Sequence, residues 1–324
     1  MKICIYGAGA IGAWLGAQLC LSGEDVTLIA RGPHLAAMQK NGVRLLSDGE
    51  EVIAHPRCVE DPQDAGMQDY VIITLKAHSF PGVVETLPPL FDKETAVVTG
   101  VNGIPWWYFY QLEGPWKNHK LDSIDPGGRI WDAIGPERAL GCVVYPAAEI
   151  AEPGVIRHIE GDRFILGEPD GSSSERTNRL AEAFKNAGLT ARVRNTIRND
   201  IWVKLWGNLC FNPISALTHG TLDKIASDSG TRGVCRQMML EAREIGEKLG
   251  AKFRVDIDKR IAGAAAVGSH KTSMLQDLEL GRPMEIDALV TVIQELGRLV
   301  DLPTPTIDVV LALIQQRAAV AGIY

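Results

Sequence analysis

The sequence predicts an α/β protein in two parts, a parallel sheet covered by helices and then an all-helical C-terminal part. In the first third of the chain, short apolar strands alternate with helices, which is the pattern of a parallel sheet. A glycine-rich turn joins the first of these strands to the first helix. From about residue 196 onward, helical periodicity dominates. We therefore expect two domains, 1–195 and 196–324.

The individual elements follow from the pattern of apolar residues along the chain. Strands are expected at 2–6, 25–30, 69–75 and 95–101, with the first helix at 10–22. Short segments separated by turn signals predict further strands, some of them antiparallel, that complete the first domain between residues 139 and 169. The C-terminal helices are expected at 198–217, 230–250, 256–280, 284–300 and 306–320.

Length, composition and charge exclude several classes of protein. The chain has 324 residues, 46% of them hydrophobic and 23% charged, as in an ordinary globular protein of two domains. Its net charge of −7 argues against nucleic acid or an anionic membrane surface as the main partner. The sequence shows neither an apolar run long enough to span a bilayer nor the pattern of a signal peptide.

The six cysteines lack a Cys-x-x-Cys pair and lie mostly in apolar runs. This placement predicts reduced thiols packed in the core rather than disulfides or a metal site. We therefore expect no metal. Reduced thiols suit a reducing compartment, so we expect a cytoplasmic protein.

The segment YGAGAIGAWLG carries a dinucleotide fingerprint between the first strand and the first helix. Gly7 permits a tight turn, Gly9 lets a pyrophosphate approach the backbone, and Gly12 lets helix and strand pack closely. The helix N-terminus adds N–H groups and a partial positive charge. A purely structural glycine turn is the alternative, but the strand before and the helix after favour a Rossmann-like dinucleotide-binding domain. The loop residues expected at the cofactor are Gly7, Ala8, Gly9, Ala10, Ile11 and Gly12.

The end of the second strand predicts which dinucleotide is bound. Domains that use NAD usually place Asp or Glu there to hold the ribose 2′-OH. In this chain the strand ends in Arg31, whose guanidinium suits a 2′-phosphate. Lys76 ends the strand DYVIITL and adds positive charge at the same sheet edge. Each residue alone is typical of an ordinary surface charge, but together they favour NADP over NAD.

The segment WVKLWGNLCFNP places Lys204, Asn208 and Asn212 four residues apart in an otherwise apolar helix. Residues four apart share a helix face, so the three form a polar row. The row either faces solvent or lines a polar cavity. In an apolar cavity the Lys204 ammonium could hydrogen-bond a ketone oxygen, stabilise alkoxide charge and supply the proton. Pro213 is expected to kink or end the helix.

The segment KTSMLQDLELGRPMEIDAL predicts one helix that ends near Gly281 and another with Pro283 in its first turn. Glu285 then lies in the positive first turn of the second helix, where capping alone explains a carboxylate. Ser273 by itself is typical of an ordinary helix serine.

The segment 104–138 holds four of the seven tryptophans, together with Pro and Gly turns. It is interpreted as an insertion that packs against its own sheet. An active-site wall and a homodimer contact are the alternatives.

Taken together, these residues resemble the ketopantoate reductases, or 2-dehydropantoate 2-reductases. The resemblance covers nearly the whole chain and depends on the glycine loop, Arg31, TLKAHS, VNG, KLWGNLCFNP and SMLQD followed by EID. It implies an N-terminal Rossmann domain and a helical C-terminal domain. It also implies NADPH-dependent reduction of 2-dehydropantoate to (R)-pantoate, on the route to pantothenate and coenzyme A.

The resemblance also implies roles on the substrate side, where the partner would be a small 2-oxo acid. Lys204 would be the general acid that contacts the substrate ketone, and Ser273 would hold the carboxylate. Glu285 would contact the cofactor or the Lys204 network. The polar row would face the cleft between the domains. The substrate-binding residues implied are Asn102, Asn208, Asn212 and Ser273.

On the cofactor side, the resemblance implies NADP held by the glycine loop, with Arg31 and Lys76 at the adenosine-phosphate end. Asn102 would lie between the nicotinamide and the substrate. The remaining cofactor contacts implied are Ala147 and Glu285.

Two other functions stay open at this point. A D-2-hydroxyacid dehydrogenase of the same fold would act on a bulkier 2-oxo acid, and it is favoured if Trp106, Trp107 and Tyr108 line the cleft. A non-catalytic NADP-binding sensor is the other. Lys204, Asn102 and Glu285 argue against a sensor, which has no need to keep a proton donor.

Overall fold

The computed structural model describes residues 1–47 and 49–324, and it separates into two compact units. Unit 1 comprises Met1–Val101, Pro105–Lys120 and Gly127–Ile197. Unit 2 comprises Asn102–Ile104, Leu121–Pro126 and Arg198–Tyr324. The chain therefore contributes two short segments to unit 2 before its C-terminal part completes that unit.

Unit 1 contains the strands of the described residues. They are β1 (Lys2–Tyr6), β2 (Asp25–Ile29), β3 (Val43–Ser47), β4 (Glu50–Ala54), β5 (Arg57–Val59), β6 (Tyr70–Ile73), β7 (Ala96–Thr99), β8 (Ala139–Val144), β9 (Ala147–Glu152), β10 (Val155–Glu160), β11 (Arg163–Gly167) and β12 (Thr190–Val193). Its helices are α1 (Ala10–Leu21), α2 (Gly32–Asn41), α3 (Pro62–Ala65), α4 (Arg129–Ile134) and α5 (Glu175–Asn186). The strands and the helix predicted for the first third of the chain are confirmed, with small differences at their ends.

The larger sheet has the strand order β12-β11-β8-β7-β6-β1-β2-β5. Its strands from β8 to β5 are parallel, whereas β11 runs antiparallel to β8. If the six parallel strands are renumbered 1 to 6 along the chain, their order across the sheet is 3-2-1-4-5-6. This is the strand order of a Rossmann-like sheet. The central strand β1 pairs Tyr6 with both Ile29 of β2 and Ile73 of β6.

A smaller sheet with the order β4-β3-β10-β9 packs on α1. Its strands β9 and β10 are antiparallel. Trp14 of α1 stacks on His158 of β10, with ring centroids 4.8 Å apart and an interplanar angle of 6°. The prediction of additional strands between residues 139 and 169, some of them antiparallel, is confirmed.

The aromatic segment packs inside unit 1. Trp106, Trp107 and Tyr108 are only 2%, 1% and 1% exposed. Trp106 Nε1 donates to Thr99 Oγ1 at 3.1 Å, and the Trp107 ring lies against Gly141 of β8. The interpretation as an insertion that packs on its own sheet is confirmed for these residues. The alternatives of a cleft wall or a homodimer contact are wrong for them, because their buried side chains leave no surface for a ligand or a second chain.

Unit 2 is helical. Its helices are α6 (Ile197–Thr218, beginning on the last residue of unit 1), α7 (Leu222–Ser227), α8 (Ser229–Lys248), α9 (Ile257–Ala266), α10 (Ser273–Glu279), α11 (Val292–Leu299) and α12 (Pro305–Val320). A π-helical turn at Asp287–Thr291 leads into α11. Within residues 1–47 and 49–324, no helix combines the length and the hydropathy needed to cross a membrane.

The prediction of one helix over 256–280 is wrong, because the structure has α9 and α10 instead. Gly268 adopts a φ of +84°, which a right-handed helix does not accommodate. The side chain of Thr272 then accepts a hydrogen bond from the N–H of Leu275 and starts α10. A local cap and a glycine turn therefore override the continuous apolar pattern.

Two further helix boundaries differ from the prediction. Pro213 does not end α6, which continues to Thr218, because burial of the neighbouring Phe211 and Ile214 offsets the lost hydrogen bond. The helix expected to hold Pro283 in its first turn becomes helical only at Ile286. The N–H of Ile286 donates to Met284 O at 2.9 Å, so the chain turns tightly there. Glu285 consequently precedes the helix rather than lying in its first turn.

A buried ion pair ties α5 to the larger sheet. Glu168, which follows β11 and is 4% exposed, accepts hydrogen bonds from Arg176 Nε at 2.8 Å and Nη2 at 2.6 Å. Ser174 and Thr177 donate to the same carboxylate. Burial by itself would raise the pKa of Glu168, but these hydrogen bonds and the charge of Arg176 hold that pKa below its ordinary value.

Glu168→Gln is expected to lower the free energy of unfolding at pH 7 by on the order of 3 kcal/mol, because it leaves the Arg176 charge without its partner. The folded pKa of Glu168 lies below the unfolded value, so its contribution is present above about pH 4.3 and declines as the pH falls through the folded value. Urea denaturation at pH 7 and at lower pH measures both effects.

Glu51→Gln is the control, since Glu51 pairs with Arg44 on the surface, where solvent screens the interaction. It should leave the unfolding free energy unchanged. A Glu168→Gln variant as stable as the wild type at pH 7 would contradict the assigned role of the buried pair.

Candidate functional site

The glycine loop has the backbone geometry of a phosphate-binding turn. Gly7 adopts a φ of +100°, and the N–H groups of Gly7 and Ala8 donate to Ile29 O at 3.1 and 2.9 Å. A Cβ added at Gly9 would meet only Gly7 O, at 3.9 Å, so the backbone faces open space there. The first turn of α1 presents N–H groups that no preceding helical carbonyl can accept. An anion can therefore approach the backbone between Gly9 and Gly12.

Thr74, which was not predicted from the sequence, holds the loop on the sheet. Its Oγ1 donates to Gly7 O at 2.8 Å. A Cβ at Gly12 would lie 2.4 Å from Thr74 Oγ1 and 2.5 Å from Gly7 O, so only glycine fits. The glycine signal was visible in the sequence, but its partner Thr74 follows β6, far along the chain.

The two cations expected at the cofactor lie at the same sheet edge as the glycine loop. Arg31 follows β2 and directly precedes α2, with extended backbone angles. Lys76 follows β6, and both side chains are exposed. Since β1, β2 and β6 are parallel, their carboxyl ends meet at one edge of unit 1. Ala147 is half-buried at the start of β9, in the smaller sheet.

The polar row lies on α6 within unit 2. Lys204 and Asn208 are half-buried, and Asn212 is 5% exposed. Trp202 and Trp206 beside them are fully buried. The Trp206 ring stacks on another aromatic ring of unit 2, and the two ring centroids are 4.4 Å apart. The alternative of a solvent-facing position is therefore wrong for Asn212, whereas Lys204 and Asn208 are partly enclosed.

Two pairs of the predicted residues meet in unit 2. Asn212 Nδ2 lies 3.5 Å from the Oγ of Ser273, which is exposed at the start of α10. Asn102 Nδ2 lies 3.5 Å from Glu285 Oε2. Asn102 is half-buried and Glu285 is 6% exposed. Unit 2 therefore carries amide, hydroxyl and carboxylate groups in paired positions, in addition to the row on α6.

Gly103 is a second residue that was not predicted, and it holds Asn102 against the π-helical turn. Its φ is +98°, and a Cβ there would lie 2.1 Å from the carbonyl oxygen of Ala288. Ala288 belongs to the turn Asp287–Thr291, and such turns recur at functional sites. The Asn-Gly dipeptide was visible in the sequence, but its contact depends on the tertiary structure.

Four cysteines, Cys4, Cys142, Cys210 and Cys235, are buried, as predicted for core thiols. Burial raises the pKa of Cys235 to about 12. In the part of the chain that the structure describes, no group of three or more His, Cys, Asp or Glu residues is arranged to hold a metal ion.

The protein is a Rossmann-like α/β protein with a C-terminal helical unit. The strand order of the larger sheet, the glycine loop and the helices of unit 2 define this class. The family model "Ketopantoate reductase PanE/ApbA" matches residues 3–171, and the model "Ketopantoate reductase PanE/ApbA C terminal" matches residues 196–318. The chain is 58% identical to a 2-dehydropantoate 2-reductase of Mesorhizobium japonicum, over 100% of both chains. The chain belongs to the ketopantoate reductase family.

Solved structures agree with this fold. A Ralstonia solanacearum protein assigned as a ketopantoate reductase has a TM-score of 0.94 and 43% identity, covering 100% of this chain and 99% of that one. D-mandelate dehydrogenase, in a ternary structure with NADH and anilino(oxo)acetate, has a TM-score of 0.85 over 100% of both chains. Its identity is 21%, so that likeness shows the fold alone.

Gly12→Ala is expected to destabilise the protein by roughly 1–3 kcal/mol, because the added methyl group must force α1 away from Thr74 and Gly7. Gly9→Ala is the matched variant, since a Cβ there meets only Gly7 O at ordinary distance. It should keep wild-type stability and lose dinucleotide affinity. Chemical denaturation and fluorescence titration with NADPH measure the two effects, and equal stability of both variants would contradict the packing assigned to Gly12.

Proposed function

We propose that the protein is an NADPH-dependent 2-dehydropantoate 2-reductase that converts ketopantoate to (R)-pantoate, a step of pantothenate and coenzyme A formation. The observation that carries the proposal is the partly enclosed row of Lys204, Asn208 and Asn212, with Ser273 beside Asn212. These groups can bind the ketone, hydroxyl and carboxylate of a small 2-oxo acid. The Mesorhizobium japonicum relative at 58% identity supplies the name of the substrate.

The residues of unit 1 fit a nicotinamide dinucleotide. The open backbone at Gly9 and the N-terminus of α1 suit its pyrophosphate. Arg31 replaces the carboxylate that would hold a ribose 2′-OH, and with Lys76 it supplies positive charge for a 2′-phosphate. These residues support NADP rather than NAD. When bound, the reduced nicotinamide supplies a hydride to the 2-oxo carbon of the substrate.

In this proposal Lys204 is the general acid. As the 2-oxo carbon is reduced, negative charge develops on its oxygen, and the ammonium group donates a hydrogen bond to that oxygen and then the proton. The buried Trp202 and Trp206 lower the local dielectric, which strengthens this interaction. Asn208 and Asn212 bind the polar groups of the substrate and orient it.

Glu285 and Asn102 form a separate pair of polar groups in unit 2. The buried Glu285 carboxylate, 3.5 Å from the Asn102 amide, can orient that amide toward substrate and cofactor. The hydroxyl group of Ser273 can donate a hydrogen bond to the substrate carboxylate. Loss of Glu285 should therefore impair the reaction less than loss of Lys204, because it orients its neighbours and transfers no proton.

Burial of the aromatic residues removes the argument for a bulkier substrate. The D-2-hydroxyacid dehydrogenase alternative depended on Trp106, Trp107 and Tyr108, and these side chains are buried. The domain boundary near residue 195, the contact of Ala147 with the cofactor, a homodimer and the cytoplasmic location stay predictions.

A panel of ketopantoate, phenylglyoxylate and 2-oxoisovalerate, each with NADPH and NADH, tests the proposal. The highest kcat/KM is expected for ketopantoate with NADPH. A preference for phenylglyoxylate would support the hydroxyacid dehydrogenase instead. A protein that binds NADPH but reduces none of the three acids would be a sensor, and the proposal would fail.

Arg31→Asp should reverse the cofactor preference. One charge-assisted contact with the 2′-phosphate favours NADPH by at least about tenfold in the wild type, and a carboxylate at position 31 should repel it. The ratio of kcat/KM for NADPH and NADH measures this preference. Lys40→Asp, an exposed charge reversal on the helix α2 that follows Arg31, is the control and should leave the ratio unchanged. Equal use of both cofactors by the wild type would refute the assignment.

Lys204→Ala should lose kcat by roughly 10³-fold or more, because one residue supplies both charge stabilisation and the proton. It should still bind NADPH, since the glycine loop, Arg31 and Lys76, which are proposed to hold the phosphates of the dinucleotide, lie in unit 1. Fluorescence titration and single-turnover reduction of ketopantoate separate the two steps. Lys224→Ala, which removes an exposed ammonium from α7, should behave as the wild type. Single-turnover reduction within about tenfold of the wild type would end the proposal for Lys204.

A further inference from the structure

The π-helical turn Asp287–Thr291 lies between Glu285 and the helix α11. The N–H of Val292 donates to Asp287 O, five residues earlier in the chain instead of the four of an α-helix. The turn therefore contains one residue more than the same length of α-helix. Because π-helical turns are rare and recur at functional sites, its presence here calls for a reason.

The extra residue sets the direction in which Glu285 leaves the helix. Each residue of an α-helix turns the chain by about 100°, so an inserted residue shifts every preceding side chain by that angle relative to α11. Glu285 belongs to the shifted part, and its Oε2 lies 3.5 Å from Asn102 Nδ2. An uninterrupted α-helix would aim this carboxylate away from the amide.

The segment that carries Asn102 also packs on the backbone of the turn. A Cβ added at Gly103 would lie 2.1 Å from Ala288 O and 3.2 Å from Ala288 Cβ. Asn102, Gly103 and the turn all belong to unit 2. The position of the Asn102 amide therefore depends on the turn twice, through the Glu285 carboxylate and through the Ala288 backbone.

The side chain of Asp287 holds the turn together. Its Oδ1 accepts a hydrogen bond from Thr291 Oγ1 at 2.7 Å, which joins the first residue of the turn to the last. The same oxygen accepts a hydrogen bond from Tyr324 Oη at 3.3 Å. Gln315 of α12 orients that hydroxyl, since its Nε2 donates to Tyr324 Oη at 2.8 Å. Asp287 thus ties the turn both to itself and to the chain that follows α12.

We propose that Asp287 is a positioning residue for the reaction: it stabilises the π-helical turn, which aims Glu285 at Asn102 and so places the Asn102 amide beside the reacting groups. This inference rests on the proposed function, because it assigns a role in the same reaction. Asp287 acts through Glu285 and Asn102 and contacts neither the substrate nor the cofactor itself.

A double-mutant cycle tests the proposal. The quantity measured is the single-turnover rate of ketopantoate reduction at saturating NADPH and substrate. Asp287→Ala should lower this rate by about tenfold, because displacing an orienting group by a fraction of an ångström is costly. In an Asn102→Ala background the same substitution should lower the rate by less than about twofold, since the amide that Asp287 positions is no longer present.

Three further variants separate positioning from general stability. Asp287→Asn keeps a side-chain oxygen that can accept both hydroxyl groups, so it should recover the rate to within about threefold of the wild type. Thr291→Val keeps the shape of the side chain and removes the donor, so it should lower the rate and lose this effect in the Asn102→Ala background. Asp308→Ala is the matched control, because it removes a Thr–Asp hydrogen bond of the same spacing, from Thr304, at the start of α12. It should leave the rate unchanged.

The inference is overturned if Asp287→Ala lowers the rate by the same factor in both backgrounds, which indicates a general structural role, or leaves the rate unchanged. An Asp287→Asn variant as slow as Asp287→Ala, or an Asn102→Ala variant as fast as the wild type, overturns it as well. If Asp287→Ala does not fold, the cycle of Thr291→Val with Asn102→Ala decides by the same criteria. The proposed function survives all of these outcomes as long as the wild type reduces ketopantoate. A wild type that does not reduce ketopantoate ends the proposed function, and the role of Asp287 with it.

Discussion

The parallel pairing of β1 with β2 and β6 is the interaction on which the candidate cofactor site depends. In this ladder Tyr6 lies opposite both Ile29 and Ile73, so the chain segments that follow the three strands emerge side by side. These segments are the glycine loop, Arg31 and the stretch from Thr74 to Lys76. A slip of one residue would turn the side chains of β1 from one face of the sheet to the other, and its core residues Ile3 and Ile5 are fully buried. Core packing therefore sets the positions of the phosphate-binding groups.

In unit 2 the corresponding constraint is the enclosure of α6. Enclosing an ammonium and two amides is unfavourable unless they gain hydrogen bonds or charge partners, and a solvent-facing position would have avoided the problem. The helix instead buries Asn212, within 3.5 Å of Ser273, and half-buries Lys204 and Asn208. Departures of this kind from local rules are characteristic of functional sites. They are the reason to assign the chemistry to this helix.

The glycines show how far the sequence alone could reach. Gly12 was predicted to allow close packing, but the atoms that pack there, Thr74 Oγ1 and Gly7 O, became known only from the structure. Gly103 and Gly207 carried no such prediction. Their partners, the carbonyl of Ala288 and the guanidinium of Arg260, come from distant parts of the chain. A glycine at such a position indicates that another group packs closely against the backbone there. Which group packs there depends on the folded structure.

The sequence by itself determined the alternation of strands and helices, the fingerprint of the loop, the absence of a carboxylate where Arg31 stands, and the spacing of the polar row. These properties are local, because they follow from the periods of strands and helices and from the conformational freedom of glycine. Only the tertiary structure decided that Trp106 and its neighbours are buried and that Glu285 precedes its helix and contacts Asn102. It also decided that Arg260 packs against α6. Each of these depends on contacts between segments far apart in the chain, and local patterns carry no information about which distant segment supplies the contact.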